Sequence, residues 1–205
     1  AYMVLSFEEG LSLKSWLKGL GRAPRQREID DMMAPLLDAL ETAGIARAGE
    51  AARRVGYASV VWPGRLELLE VEGREVLLDG AHNPAGAAAL ATALDDLRPF
   101  LIPGSVTLLT ASMGDKDIDG VIAALAGSPA LADATILCAA VDLPRAMPPS
   151  DLAGRWRAAV HDPGQVSAVG SVAEGIRQAL VSATGPIVVA GSLYLVGAVR
   201  GQLVG

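Results

Sequence analysis

Cysteine occurs once among the 205 residues, at Cys138. A disulfide framework and a cysteine metal site are therefore excluded. The setting of that residue, Thr135-Ile136-Leu137-Cys138-Ala139, reads as a buried strand. Long apolar runs are missing too. No stretch reaches the length that spans a bilayer, and the first residues carry neither a basic segment nor a signal-cleavage pattern. Positive charge is in deficit: 17 Lys and Arg against 23 Asp and Glu give a formal net charge of -6. A general nucleic-acid binder would need a basic face, so that class is disfavoured. No glycine-rich G-x-G-x-x-G follows a strand pattern, which disfavours a dinucleotide-binding enzyme. The expectation left standing is a cytoplasmic protein working without membrane or nucleic acid. Its 51% hydrophobic content can fill a sizeable core, and its length suits one medium domain with or without an appendage.

What is present, from residue 66 onward, is an alternation of strand and helix patterns. Leu66–Val71 and Arg74–Asp79 form a predicted hairpin turning at Glu72-Gly73. Asn83 is a good N-cap, Pro84 suits the first helical position, and Ala87, Leu90, Ala91, Leu94 and Leu97 keep helical spacing. Val106–Thr110 and Thr135–Val141 are buried-type strands. Asp117 caps a helix striped by Ile118, Val121, Ile122 and Leu125. Ser150 starts a helix carrying Leu152, Trp156 and Ala159, and Gln165–Val169 reads as a short edge strand. Ser171 and Glu174 match a capping box, Ile187–Ala190 is the last strand, and Ser192 opens a C-terminal helix. The fold class is α/β: a Rossmann-like, mostly parallel sheet with helices on both faces. Residues 1–61 differ. Arg27–Ala43 has a helical pattern that Pro35 should kink, Glu50–Val55 looks like a short helix, and the segment is too small to bury much core alone.

The stretch Leu78-Asp79-Gly80-Ala81-His82-Asn83-Pro84 places an acid at the end of a strand and a histidine in the turn beyond it. In open α/β sheets ligands bind outside the carboxyl ends of the strands, so this is where chemistry is expected. Asp115-Lys116-Asp117 and Ser192 fall on the same side, after other strands. Histidine ordinarily changes charge near neutral pH and can bond a phosphate or a carboxylate. A serine at a helix start offers a hydroxyl and free amides to an anion. Each residue also has a plainer use: Asp79 as a turn residue bonding amides, His82 bonding local backbone, Asn83 and Asp117 as caps, Lys116 in a solvated loop, Ser192 as an N-cap, and His161 as surface.

Four elements, Trp62-Pro63-Gly64-Arg65, Leu78-Asp79-Gly80-Ala81-His82-Asn83-Pro84, Asp115-Lys116-Asp117 and Gly191-Ser192-Leu193-Tyr194-Leu195-Val196-Gly197, occur together in one order and spacing. In these the chain resembles the carboxy-terminal, glutamate-ligase portion of folylpolyglutamate synthase and its bifunctional dihydrofolate synthase relatives, within the Mur ligase superfamily. The resemblance is good over about residues 50–205 and weak over 1–49. It implies two parts, residues 1–61 as a helical remnant of the central ATPase domain and 62–205 as the carboxy-terminal domain. It further implies an ADP-forming ligase in which ATP, with Mg2+, phosphorylates a folate carboxylate and the amine of glutamate attacks the acyl phosphate. Arg65 and Asp79 become ATP contacts, the latter to ribose; Lys116 and Ser192 become substrate contacts, and His82 a catalytic candidate. The implied partner is the rest of the ATPase domain, the substrates are folate and glutamate, and a monomer is the family expectation.

Departures from the family pattern matter as well. The 205 residues contain no G-x-x-x-x-G-K-[ST] loop, so they cannot cradle ATP phosphates in the family manner. Magnesium ligands are not expected in this chain either. Where relatives carry a His-Gln pair and an Asn, Arg25-Gln26 is followed by Arg27-Glu28-Ile29, and Ala198 stands where Glu is common. By itself the chain should not ligate anything. The alternatives are a stand-alone binding or regulatory module of the same fold, or the equivalent domain of a peptidoglycan Mur ligase. Trp-Pro-Gly-Arg and Gly-Ser-Leu-Tyr favour folate over peptidoglycan.

Overall fold

The computed structural model describes residues 62–204, which lie in one compact unit. The helices expected before residue 62 fall outside the described residues. Six strands form one sheet: β1 (Glu67–Val71), β2 (Arg74–Asp79), β3 (Thr107–Thr110), β4 (Thr135–Cys138), β5 (Val166–Ala168) and β6 (Ile187–Ala190). Their spatial order is β1-β2-β6-β3-β4-β5, so the last strand in the sequence lies inside the sheet, between β2 and β3. Only β1 runs antiparallel, against β2; every other pairing is parallel. The hairpin between them turns on Glu72 and Gly73 with φ of 52 and 75. Two consecutive left-handed residues are what a tight turn between right-twisted strands requires.

Side chains alternate across the sheet because the strand period is two. Leu77, Leu108, Ile136 and Val188 face one core; Val76, Leu78, Leu109, Leu137 and Val189 face the other. The first face is covered by α1 (Pro84–Leu97), α2 (Ile118–Ala126) and α3 (Pro149–Ala159), through Leu90, Leu94, Ile122, Leu125 and Trp156. The second is covered by α4 (Val172–Ser182) and α5 (Leu193–Leu203), through Ile176, Ala179, Leu195 and Val199. A sheet with both faces covered needs strands that are apolar throughout, which explains why Leu108, Leu109, Val188 and Val189 are all fully buried.

The expected starts of α1, α2 and α5 hold in detail. Asn83 Oδ1 accepts the Gly86 amide at 2.9 Å with Pro84 in the first turn, and Asp117 Oδ1 accepts the Gly120 amide at 3.0 Å. Two starts differ. The helix expected at Ser150 begins at Pro149, because the Pro148-Pro149 pair presets the backbone angle of the first turn. At α4 the Glu174 amide donates to Ser171 Oγ at 3.1 Å, but the Glu174 carboxylate reaches one residue further back, accepting from the Gly170 amide at 3.0 Å. The capping box is thus stretched by one residue. β4 ends at Cys138, earlier than the expected Val141, since β5 pairs only with Ile136–Cys138 and the chain turns back at Val141–Leu143.

Candidate functional site

Neighbouring strands β2 and β6 are parallel, yet α1 leaves β2 for one face while α5 leaves β6 for the other. The same divergence separates β6 from β3, whose α2 joins α1. Loops that part in this way open a crevice at the strand ends, the usual ligand position in such sheets. The crevice holds a cavity of about 180 Å³. His82 enters it from the loop after β2, Met113 and Lys116 from the loop after β3, and Arg145 from the loop after β4. Gly191, Ser192, Leu193 and Tyr194 complete it where β6 passes into α5.

Two of the polar wall residues, His82 and Ser192, are held by local backbone. His82 Nδ1 lies 2.8 Å from the Gly80 carbonyl oxygen. A carbonyl only accepts, so Nδ1 carries the proton, and in the neutral ring Nε2 is left as an acceptor. Ser192 is buried, and its Oγ accepts the Tyr194 amide at 3.2 Å as the N-cap of α5. The hydroxyl hydrogen remains available, and the positive end of the helix adds to the site's preference for an anion. Gly191, at φ 111, makes the tight passage from β6 into that cap. Lys116 is exposed at the rim.

Arg65 and Asp79 do not line this cavity; they belong to an adjoining structure built on the Trp-Pro-Gly-Arg element. The Arg65 amide donates to the Trp62 carbonyl at 3.0 Å across a turn with Gly64 at φ 71. Proline second and a left-handed glycine third is the signature of a type II turn. Leu66 follows at φ 44, a left-handed position that strains a non-glycine residue, and Asp79 holds it there. Asp79 Oδ2 accepts the Leu66 amide at 3.0 Å, while Oδ1 accepts the Ala81 amide at 2.8 Å. This buried carboxylate therefore clamps the start of the hairpin to the histidine loop, the plainer use foreseen for it. Glu67 extends the clamp to α5: it accepts the Gly64 amide at 2.7 Å and both contacts of Arg200 Nε at 3.0 Å. The Arg65 guanidinium is exposed, makes no ion pair among the described residues, and lies over Gly80, which has no side chain to displace it. Among the described residues no three His, Cys, Asp or Glu side chains gather as a metal ion would require.

Sequence reasoning brought together His82, Lys116 and Ser192 and missed Arg145, Met113 and Tyr194. Arg145 carried a usable signal: it is a cation in the loop following a parallel strand, on the side where Asp79 and Ser192 had already been placed. His161 is exposed, and the Cys138 thiol is buried beneath the sheet, where desolvation pushes it up to about 12.

Comparison with known proteins matches residues 64–193 to the family described as Mur ligase, glutamate ligase domain. The chain belongs to the Mur ligase family. Among relatives, this Mur ligase domain is 35% identical over 153 residues to folylpolyglutamate synthase from Lacticaseibacillus casei, covering 74% of the chain and 32% of that protein. It is 49% identical over 75 residues to dihydrofolate synthase/folylpolyglutamate synthase from Mycobacterium tuberculosis, covering 35% of the chain and 14% of the relative. Among solved structures it resembles E. coli FolC in complex with DHPP and ADP, with TM-score 0.65 and 26% identity over 80% of this chain and 36% of that one. It equally resembles the Mycobacterium tuberculosis synthase complexed with ADP and AMPPCP, with TM-score 0.65 and 28% identity over 87% and 40% of the two chains. The Mur ligase chain thus spans 14–40% of the length of these longer proteins. No helix among its described residues is long and apolar enough to cross a membrane.

Proposed function

We propose that this chain is the glutamate-binding portion of an ATP-dependent ligase that joins glutamate to folates, and that residues 1–61 belong to its ATPase part. The observation that carries the reading is the meeting of His82, Lys116 and Ser192 at one cavity beside the start of α5. At about 180 Å³ that cavity is smaller than the roughly 300–1,000 Å³ of a drug-sized ligand pocket. It suits an amino acid better than a folate or a nucleotide, both of which need further surface. The amine of glutamate attacks only after losing a proton. His82, with Nδ1 donating to Gly80, offers Nε2 as the base that takes it. Ser192 and the α5 amides hold a carboxylate, and Lys116 balances its charge. The nucleotide supplies the phosphoryl group that activates the folate carboxylate. Arg65 is this chain's contact to it, and the lone pairs that Asp79 does not spend on amides serve a ribose hydroxyl. With no phosphate loop among the 205 residues, the chain alone performs no ligation.

Titration of the isotope-labelled chain with L-glutamate tests this reading. Amide shifts should concentrate at His82, Lys116 and Ser192, and the purified chain should neither hydrolyse ATP nor extend a folate. Shifts absent from the β2, β3 and β6 ends, or ATP- and glutamate-dependent folate extension by the chain alone, would remove it.

A further inference from the structure

We propose that Arg145 selects an acidic acceptor by exchanging Asp115 for the side-chain carboxylate of the incoming amino acid; the proposal rests on glutamate occupying the cavity. The backbone around Arg145 is fixed. Met113 and Ala146 form a β-bridge, the Gly114 amide donates to the Arg145 carbonyl at 2.9 Å, and the Met147 amide donates to the Ser112 carbonyl at 2.9 Å. The loops after β3 and β4 are therefore zipped together, and the guanidinium is delivered to the cavity wall from a rigid base. Its partner is Asp115, with Nη1 to Oδ2 at 3.1 Å. The two side chains are 55% and 50% exposed, and the contact is single, so water competes with both ends. An exposed pair of this kind is weak and easily exchanged. A ligand carboxylate, met by the planar fork through two parallel hydrogen bonds, is the stronger partner.

The remaining walls offer Arg145 as a second anionic subsite. Ser192 and the start of α5 suit one carboxylate, yet Lys116 and Arg145 add two further cations, and Asp115 is bound to one of them. A ligand with a single carboxylate is balanced by Lys116 and leaves Arg145 on its weak, exposed contact with Asp115. A dicarboxylic amino acid can also engage Arg145, while its uncharged amide analogue differs in the second group alone.

Calorimetric titration of the chain with L-glutamate and L-glutamine, for the wild type, R145Q, R145K and D115N, decides the point. The wild type should prefer glutamate by about tenfold or more, the scale of a lost charge-assisted contact. R145Q should erase the preference through weaker glutamate binding, with glutamine unchanged, and R145K should retain part of it. D115N should tighten glutamate by roughly 1.5- to 5-fold, the factor corresponding to the ~0.2–1 kcal/mol of an exposed pair no longer competing. A merely structural Arg145–Asp115 tie predicts the opposite sign for D115N. A preference that survives in R145Q, or weaker glutamate binding by D115N, overturns the proposal and leaves the glutamate cavity standing. Absence of glutamate binding by the wild type overturns both.

Discussion

Replacing Gly191 by alanine should damage the fold and the cavity together. The residue has φ 111, a region that L side chains rarely adopt, and forcing alanine there costs about 1–3 kcal/mol. An added Cβ would also sit 2.6 Å from the Ala111 carbonyl oxygen and 2.6 Å from Thr110 Oγ1. Neither neighbour can step aside cheaply: Thr110 pairs with Ala190 across the centre of the sheet, and its carbonyl accepts the Ala139 amide. Overpacking of this kind adds roughly 1–3 kcal/mol. The total, about 2–6 kcal/mol, corresponds to a fall in Tm of roughly 4–24 °C for a chain of this size. Circular dichroism melts give the number directly. Gly197→Ala on α5 is the control, because its Cβ would meet nothing within 4 Å. There helix propensity and the unfolded-state entropy favour alanine by about 0.4–1 kcal/mol, raising Tm. A G191A protein melting within about 1 °C of the wild type would refute the argument from backbone geometry.

Burial separates the two ion pairs anchored on helices. Arg200→Met leaves Glu67, whose side chain is 8% exposed, without its charged partner and should cost about 1–3 kcal/mol in chemical denaturation. Arg155→Met breaks the exposed pair with Asp119 and should cost less than about 1 kcal/mol. Asp79→Asn turns an NH2 group toward one of two backbone donors; a loss of about 1–3 kcal/mol is expected in the same assay, and none would mean that the clamp between Leu66 and Ala81 contributes nothing. Burial pushes the Cys138 thiol from 9.0 up to about 12, against the opposing pull of Arg157. Between those values the unfolded chain binds fewer protons than the folded one, so stability falls as pH rises above 9.0, by at most about 1.4 kcal/mol per unit. Cys138→Ala should flatten that part of the pH–stability curve.

Local features were legible in the sequence because their causes are local. Asn83 and Asp117 cap helices by bonding amides three residues on, and Glu72-Gly73 turns the hairpin through its own backbone angles. The buried faces of α1 and α2 follow from side-chain spacing. Strand order was not legible, since the pairing of β6 with β2 and β3 joins residues far apart in sequence, Val76 with Ile187 and Thr107 with Ile187. The site was half legible for the same reason. His82, Lys116 and Ser192 each follow a strand and could be placed at one sheet edge, whereas the inclusion of Arg145 depends on the bridge between Met113 and Ala146. Asp79 was foreseen at its strand end, but its two amide bonds depend on how Leu66 folds over it.

The place of β6 also constrains the order in which the molecule can be made. A ribosome delivers β2 and β3 long before Ile187–Ala190, and those two strands cannot close on each other without evicting the strand to come. Until Ile187–Ala190 emerges, the nascent chain carries two open strand edges flanked by apolar side chains, the form most exposed to misassociation. Closure of the sheet therefore waits for Ile187–Ala190, and removing that segment would take away the keystone of the sheet rather than its margin.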